Sequence, residues 1–230
     1  SAAITPVVMN RGVQVVVQPG APGIDGPNSP YAGAGAWTDQ VSVDVVAPGE
    51  GGGTVTTFSA WQQSTIDVAS GRFQGDGTAS FGNGPANAVP TAVSAFTVLF
   101  ELDQAYDYQM AAHLLTGSDT LGAEAYFLLQ SNGLGGTVFA FDVQGGEESP
   151  NLSGTLAPGQ YWLTAGAEAG QSGQAQFGRN ALYSFLLELK PREGPGGTVP
   201  EPPLLALLGL AVLALHRRPR RQLRHGGRGR

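Results

Sequence analysis

The chain has 230 residues, 41% of them hydrophobic, with no cysteine and a formal net charge of −6, which allows one all-β domain and excludes a disulfide framework, a thiol nucleophile and a cysteine-ligated metal. The charge is divided unequally: residues 1–199 hold five basic and 17 acidic side chains, net −12, whereas residues 200–230 hold seven arginines and one glutamate, net +6. Nucleic acid is excluded as a partner of the acidic part, since phosphate contacts need clustered lysine and arginine.

Short segments rich in β-branched or alternating apolar residues recur between turn residues. They predict strands at 12–18, 41–46, 54–68 (one or two strands), 93–102, 105–115, 123–130, 137–143, 161–168, 175–178 and 181–190. Glycine, proline and asparagine predict a loop at 22–36, turns at 75–77 and 82–85, and a hairpin loop at 131–136. The gap Asp103-Gln104 predicts a second hairpin, and residues 111–115 fit a short helix as an alternative to a strand.

About ten short strands with a two-residue period indicate an all-β fold, namely an antiparallel β-sandwich or jelly-roll-like ectodomain. The period is clearest near the end, where Tyr183, Phe185, Leu187 and Leu189 share one face of a strand. A closed barrel is the weaker interpretation, because it would show more even strand spacing.

Residues able to carry catalysis are few. His113 is the one histidine before the basic tail, so a histidine-based acid–base or metal site lacks partners. Two carboxylates at a suitable separation hydrolyse glycosides. The candidates are Glu101, Asp103, Asp107, Glu124, Asp142, Glu147 and Glu148. Nothing in the sequence pairs them, so we expect solvated acids and no enzymatic activity, with a glycan-active hydrolase as the alternative.

Calcium is the one cofactor that the acidic loops suggest, because Ca²⁺ takes several carboxylate and carbonyl oxygens. The spacing Asp103-x3-Asp107 and the predicted turn at 75–77 are compatible with such a site, although neither has the twelve-residue EF-hand spacing. We therefore expect no cofactor and keep calcium as an alternative.

Sugar rings bind on exposed aromatic side chains, for which Trp37, Trp61 and Trp162 are the candidates, alongside Tyr31, Tyr106 and Tyr108. Burial in the core is the default for tryptophan. Trp162 is the strongest candidate, because alternation places it on the strand face opposite Tyr161 and Leu163. Exposure of the three tryptophans on one face would favour a carbohydrate-binding module, and burial of all three would disfavour it.

The C-terminal segment has the order of a membrane anchor. A Gly/Pro linker at 193–199 precedes an apolar run at 204–215, whose 12 residues span about 18 Å as a helix. A full span needs about 20 residues, but a start at Pro202 and snorkelling Arg217 and Arg218 extend the reach to about 24 Å. Because the run has no polar face, a transmembrane helix is favoured over a buried one, and the arginines beyond it predict an exported body.

The residues Val199-Pro200-Glu201-Pro202, followed by that apolar run and by Arg217, Arg218, Arg220 and Arg221, resemble the PEP-CTERM sorting signal of Gram-negative bacteria. This resemblance implies recognition at Pro-Glu-Pro by an exosortase, transient anchoring in the inner membrane, removal of the helix and arginines, and an exported body at the cell surface or outside the cell. Proteins with this signal are associated with exopolysaccharide and biofilm. Residues 222–230 form a basic tail that extends beyond the usual end of such signals.

A second resemblance concerns the segment before this signal. Residues 156–163, the small-residue strand 164–169 and the strand 181–189 are similar to the last hairpin of β-sandwich ectodomains that precede PEP-CTERM signals. The resemblance adds no catalytic residue.

The predicted organisation is a β-sandwich ectodomain at 1–192, a linker at 193–199, a sorting signal at 200–221 and the basic tail at 222–230. The predicted function is that of an exosortase-processed surface or matrix protein with a structural or adhesive role in exopolysaccharide or biofilm. A carbohydrate-binding module, with or without calcium, is the first alternative and a glycan-active enzyme the second. A membrane-tethered protein without processing is the remaining one.

Overall fold

A computed structural model describes residues 3–16, 28–47, 54–82, 91–117, 122–133, 136–170 and 179–192. The chain divides into a compact unit of residues 1–192 and a second unit of residues 193–230. The predicted sorting signal, helix 204–215 and basic tail, and the predicted strand 175–178, lie outside the described residues.

Thirteen strands lie in the described part of the chain. They are β1 (Ile4–Val16), β2 (Asn28–Tyr31), β3 (Gly35–Ala47), β4 (Thr54–Asp67), β5 (Arg72–Phe81), β6 (Thr91–Leu102), β7 (Tyr106–Thr116), β8 (Ala123–Ser131), β9 (Thr137–Val143), β10 (Gly146–Glu148), β11 (Asn151–Leu156), β12 (Gly159–Gly170) and β13 (Arg179–Pro191). Residues 111–115 are therefore strand rather than helix, and the predicted loop at 22–36 contains β2.

The strands form two antiparallel sheets. Sheet 1 has the order β2-β1-β6-β12-β8-β9, and sheet 2 has the order β10-β7-β13-β5-β4-β3, with β11 also paired to β7. The all-β antiparallel sandwich predicted from the sequence is confirmed. The hairpin of β8 and β9 around residues 131–136 is confirmed as well, since Phe127 lies opposite Phe141 across the two strands.

Aromatic rings from the inner faces of both sheets fill the core. Phe73 of sheet 2 stacks on Phe100 of sheet 1 with ring centroids 5.1 Å apart, and Phe185 of sheet 2 contacts Phe96 and Phe127 of sheet 1 at 4.9 Å each. All five rings are buried. Their contacts join the two sheets, since a buried aromatic side chain contributes most of the area that holds two layers together.

The predicted turn at Gly75-Asp76-Gly77 is wrong, because these residues lie within β5. Gly75 and Gly77 are buried positions of that strand. A Cβ atom at Gly75 would lie 2.8 Å from the Phe185 ring, and one at Gly77 would lie 2.3 Å from the Tyr183 ring. The glycines are there to admit aromatic rings from β13 rather than to turn the chain.

The predicted hairpin around Asp103-Gln104 is also wrong. β6 belongs to sheet 1, where it pairs with β1 and β12, whereas β7 belongs to sheet 2. A two-residue hairpin turn needs positive φ angles, and the pairs that favour it contain glycine, which Asp103-Gln104 does not. The final hairpin implied by resemblance fails in the same way, because β12 lies in sheet 1 and β13 in sheet 2.

Candidate functional site

The structure places the three candidate tryptophans in three different environments. Trp37 packs against the core and stacks on Tyr31, with ring centroids 5.9 Å apart. Trp61 is half-buried on the outer face of sheet 2, opposite Gln40 and Thr78. Trp162 is half-buried on the outer face of sheet 1. Two of the three are therefore on outer faces, but on opposite sides of the sandwich.

A chain of hydrogen bonds fixes the indole of Trp162. Its Nε1 donates to Oδ1 of Asn132 at 3.1 Å, and Nδ2 of Asn132 donates to Oε1 of Gln160 at 3.0 Å. Nε2 of Gln160 then donates to Oε2 of Glu101 at 3.1 Å. Each side chain in this hydrogen-bonded series orients the next one, so the indole and the two amides have defined positions at the surface.

The backbone explains why these four residues meet. Gln160 and Trp162 are two positions apart on β12 and therefore share a face. Glu101 of β6 lies directly opposite Gln160. Asn132 follows the end of β8, and its backbone N–H donates to the carbonyl of Gln160 at 2.8 Å, which holds the β8–β9 turn against β12. We name these four residues the Trp162 cluster.

Tyr126 provides a second aromatic ring on the same face. It lies on β8 opposite Gly166 of β12, and a Cβ atom at Gly166 would be 2.4 Å from Cζ of Tyr126. The phenol ring thus lies across Gly166. Because Gly166 is four residues along β12 from Trp162, the two rings are roughly 13 Å apart along the strand. The outer face of sheet 1 presents two aromatic platforms in line.

The outer face of sheet 1 is acidic. Glu101, Glu124, Asp142 and Glu168 lie on it, and Glu168 is directly opposite Glu124. Within the described strands of sheet 1 the one cation is Arg11, which points into the core. Burial, Asp142 and Glu168 together raise the pKa of Glu124. Burial, followed by the charges of Glu168 and Glu124, raises the pKa of the Tyr126 phenol.

Glu124→Gln is expected to stabilise the protein at neutral pH. The raised pKa means that the folded state holds a proton on Glu124 at pH values where the unfolded chain has lost it, so stability falls as pH rises from about 4.3 through the raised pKa. Removing one of two facing carboxylates should raise the free energy of unfolding by about 0.2–1 kcal/mol. Thermal unfolding should show a higher midpoint at pH 7 and no difference near pH 3. The exposed Glu148→Gln is the control, and equal gains at both pH values would contradict the assignment.

Other candidate carboxylates have separate partners. Oδ2 of Asp103 accepts from the Ala3 backbone at 2.9 Å, and Oδ1 of Asp107 accepts from Oγ1 of Thr155 at 2.8 Å. Glu147 lies 3.5 Å from Nδ1 of His113. Among the described residues there is no group of three or more His, Asp or Glu side chains that could hold a metal ion. Residues 75–77, one of the two segments considered for calcium, lie within β5 and do not form a turn.

The predicted sorting residues Val199, Pro200, Glu201, Pro202, Arg217, Arg218, Arg220 and Arg221 lie outside the described residues. In the described ranges no helix is long and apolar enough to cross a membrane. Residues 198–221 match the family model of the PEP-CTERM protein-sorting motif. The chain thus carries this motif, as predicted, and the motif implies export, sorting at a membrane and processing by an exosortase.

Solved structures with similar arrangements include two carbohydrate-binding modules. TmCBM61 in complex with β-1,4-galactotriose is 12% identical, with 66% of this chain and 85% of that chain covered and a TM-score of 0.26. A CBM4 structure is 13% identical, with 44% and 79% covered and a TM-score of 0.17. Infectious bursal disease virus Gx strain is 9% identical, with 95% and 76% covered and a TM-score of 0.25. No curated protein matches the chain.

Proposed function

We propose that this chain, which carries a PEP-CTERM sorting motif, is an exported, exosortase-processed surface or matrix protein that adheres to polysaccharide through the outer face of sheet 1. The observation that carries the proposal is the Trp162 cluster, in which hydrogen bonds orient an indole and two amides at the surface. A protein sorted to the outside and bound there to polysaccharide has the structural or adhesive role that the sequence predicts.

The chemistry of the Trp162 cluster suits a sugar ring. An indole presents a rigid apolar face to the C–H groups of a pyranose, while amide and carboxylate groups beside it pair with hydroxyl groups. Because the side chains are already held by one another, binding loses little rotamer entropy. Tyr126 supplies a second ring farther along β12. A linear chain of several sugar units therefore fits the face better than a single sugar.

The charge of the face selects the class of polysaccharide. Four carboxylates lie on the outer face of sheet 1, so a polyanion such as a uronic acid polymer would be repelled. A neutral polysaccharide is compatible with the face. A polysaccharide that bears protonated amines is attracted to it, because Tyr126 and the flanking carboxylates can contact the ammonium groups. We therefore infer a neutral or amine-bearing polysaccharide.

Trp162→Ala is expected to weaken binding at least tenfold, which corresponds to about 1.4 kcal/mol. The measurement is retardation of the full-length protein, in detergent micelles, by gels that contain the producing organism's exopolysaccharide. Trp162→Phe should retain part of the affinity because it keeps an aromatic face, and Asn132→Ala should lose part because it frees the indole. Trp37→Phe is the matched control, since Trp37 packs against the core. Undiminished binding by Trp162→Ala, with normal folding by circular dichroism, would remove the basis of the proposal.

A glycan-active enzyme is the second candidate, favoured by one observation. Glu124 and Glu168 face each other on adjacent strands, and burial raises the pKa of Glu124. In glycoside hydrolysis the carboxyl group with the raised pKa acts as the acid, and a second carboxylate acts as the nucleophile or base. Release of reducing ends from the exopolysaccharide, lost in both Glu124→Gln and Glu168→Gln, would support it. No release by the wild-type protein would exclude it for that polysaccharide.

A further inference from the structure

We propose that the outer face of sheet 2 carries a second polysaccharide site, a groove leading to Trp61, so that one molecule cross-links two polysaccharide chains. The inference rests on the proposed function for its ligand class, but it concerns a different sheet and different residues.

The groove runs along β13 and its neighbours. It consists of three connected parts with volumes of about 310, 390 and 360 Å³. Gln109, Ser153 and Glu188 line both the first and the second part, and Ala111 and Leu186 line both the second and the third. Lys190 to Ser184, the stretch of β13 that it follows, spans roughly 20 Å. A groove of this length accommodates an extended polymer rather than a compact small molecule.

The lining favours a sugar polymer over a peptide. β13 lies inside sheet 2 and is paired with β5 on one side and β7 on the other, so its backbone groups are already used in the ladders. An extended peptide bound by strand addition needs an unpaired edge. The groove offers side chains instead, with the amides of Gln74 and Gln109 and the hydroxyls of Ser153 and Ser184 among them. These groups pair with sugar hydroxyls as donors and acceptors.

Trp61 stands where the groove ends. The third part of the groove is lined by Gln74 and Asp76 of β5. Trp61 of β4 lies opposite Thr78, so Asp76 is its diagonal neighbour on the same face, at about 7–8 Å. Uncharged Gln40 and Thr78 flank the indole on either side. A sugar chain that follows the groove past Asp76 reaches the half-buried indole of Trp61, which provides a stacking surface on the outer face.

The two sites cannot be halves of one site. Trp61 and Trp162 lie on the outer faces of the two sheets, with the packed core between them. Facing sheets are about 10 Å apart, and the side chains point in opposite directions. Two independent sites on opposite faces give a monomer the valence needed to join two polysaccharide chains, and linkage of the two raises avidity on a dense matrix.

The test separates binding from cross-linking. Full-length wild type, Trp61→Ala, Trp162→Ala and the double variant, each in detergent micelles, are mixed with soluble exopolysaccharide from the producing organism. Light scattering measures cross-linking, and gel retardation measures binding. We expect each single variant to bind ten- to thirtyfold more weakly than wild type, because avidity is lost, and to cross-link at least tenfold less. The double variant should lose both binding and cross-linking. Ser153→Arg is a second test of the groove in case Trp61→Ala folds poorly. It fills the groove from an exposed position on β11 and should give the same loss of cross-linking.

The outcomes distinguish this inference from the proposed function. Cross-linking that persists at the wild-type level in Trp61→Ala and Ser153→Arg would overturn the second site. Self-association of a protein with one site would then be the source of the cross-linking. Binding that is lost in Trp61→Ala and unchanged in Trp162→Ala would overturn the Trp162 site and leave the groove as the binding surface. Absence of cross-linking by the wild-type protein at saturating binding would overturn the two-site arrangement alone.

Discussion

Arg11→Met is expected to lower the free energy of unfolding by about 2–4 kcal/mol, which for a domain of this size moves the thermal midpoint by roughly 4–16 °C. Arg11 is fully buried on β1 in sheet 1. Its Nη1 donates to the carbonyl of Gly35 at 2.9 Å and to Oγ of Ser64 at 3.3 Å, and its Nη2 donates to the carbonyl of Gly33. The guanidinium therefore ties sheet 1 to the start of β3 and to β4 in sheet 2.

The size of the effect follows from what the substitution leaves behind. Methionine fills much of the volume but leaves the half-buried carbonyls of Gly33 and Gly35 and the buried hydroxyl of Ser64 without their donor. An unsatisfied buried group costs about 1–3 kcal/mol. It also removes a cation that lies 4.7 Å from the Tyr31 ring and 5.9 Å from the Trp37 ring. Part of the loss is offset, because burial lowers the pKa of Arg11 and methionine has no charge to bury.

Thermal and denaturant unfolding of the full chain in detergent would measure this difference. Arg11→Lys should also destabilise, because a lysine ammonium cannot reproduce the planar fork of donors. The exposed Arg72→Met is the matched control and should stay within about 0.5 kcal/mol of wild type. Equal unfolding midpoints for Arg11→Met and Arg72→Met would show that the buried guanidinium has no net structural role.

Gly77→Ala is expected to destabilise the protein by about 3 kcal/mol, since overpacking a close-packed core costs typically 1–3 kcal/mol. An added Cβ would lie 2.3 Å from Oγ of Ser94 and 2.3 Å from Cε1 of Tyr183. Neither atom has room to retreat, because both residues are fully buried and their hydroxyl groups are 3.3 Å apart. Accommodation therefore requires β5 to move away from β13, which disturbs the packing of Phe185 as well.

Gly82→Ala provides the matched control for this prediction. It lies directly after β5, and an added Cβ there would meet the backbone of Thr57 at 3.7 Å, an ordinary contact. That variant should be neutral or slightly stabilising, because alanine restricts the unfolded chain. Combining Gly77→Ala with Tyr183→Leu should be less destabilising than the sum of the two changes. Chemical denaturation with unchanged midpoints for Gly77→Ala would contradict the packing described here.

The glycines of β5 illustrate where reasoning from sequence fails. Gly-Asp-Gly is typical of a turn, because glycine costs strand stability and tolerates positive φ. The competing reason for glycine in a strand is the close approach of another group. Deciding between these needs the position of Tyr183, which is 106 residues farther along the chain. Local sequence does not contain that information.

The Trp162 cluster shows the same division within the candidate site. Alternation along β12 correctly predicted that Trp162 lies opposite to Tyr161 and Leu163, because successive side chains of any strand point to opposite faces. It did not predict Asn132, which meets Trp162 through the pairing of β8 with β12. The facing carboxylates Glu124 and Glu168 were also missed as a pair, since their contact depends on the same register.

By itself the sequence determined the all-β class, most strand positions, the faces of β12 and β13, and the sorting motif at 198–221. These depend on properties of consecutive residues, namely the two-residue period of an extended chain and a short motif. Only the tertiary structure decided that β6 and β7 belong to different sheets and that Arg11 is buried between the two sheets. It also decided that Trp61 and Trp162 lie on the outer faces of opposite sheets. Strand pairing and sheet assignment depend on how distant segments pack together, and that free energy is shared among residues far apart in the chain.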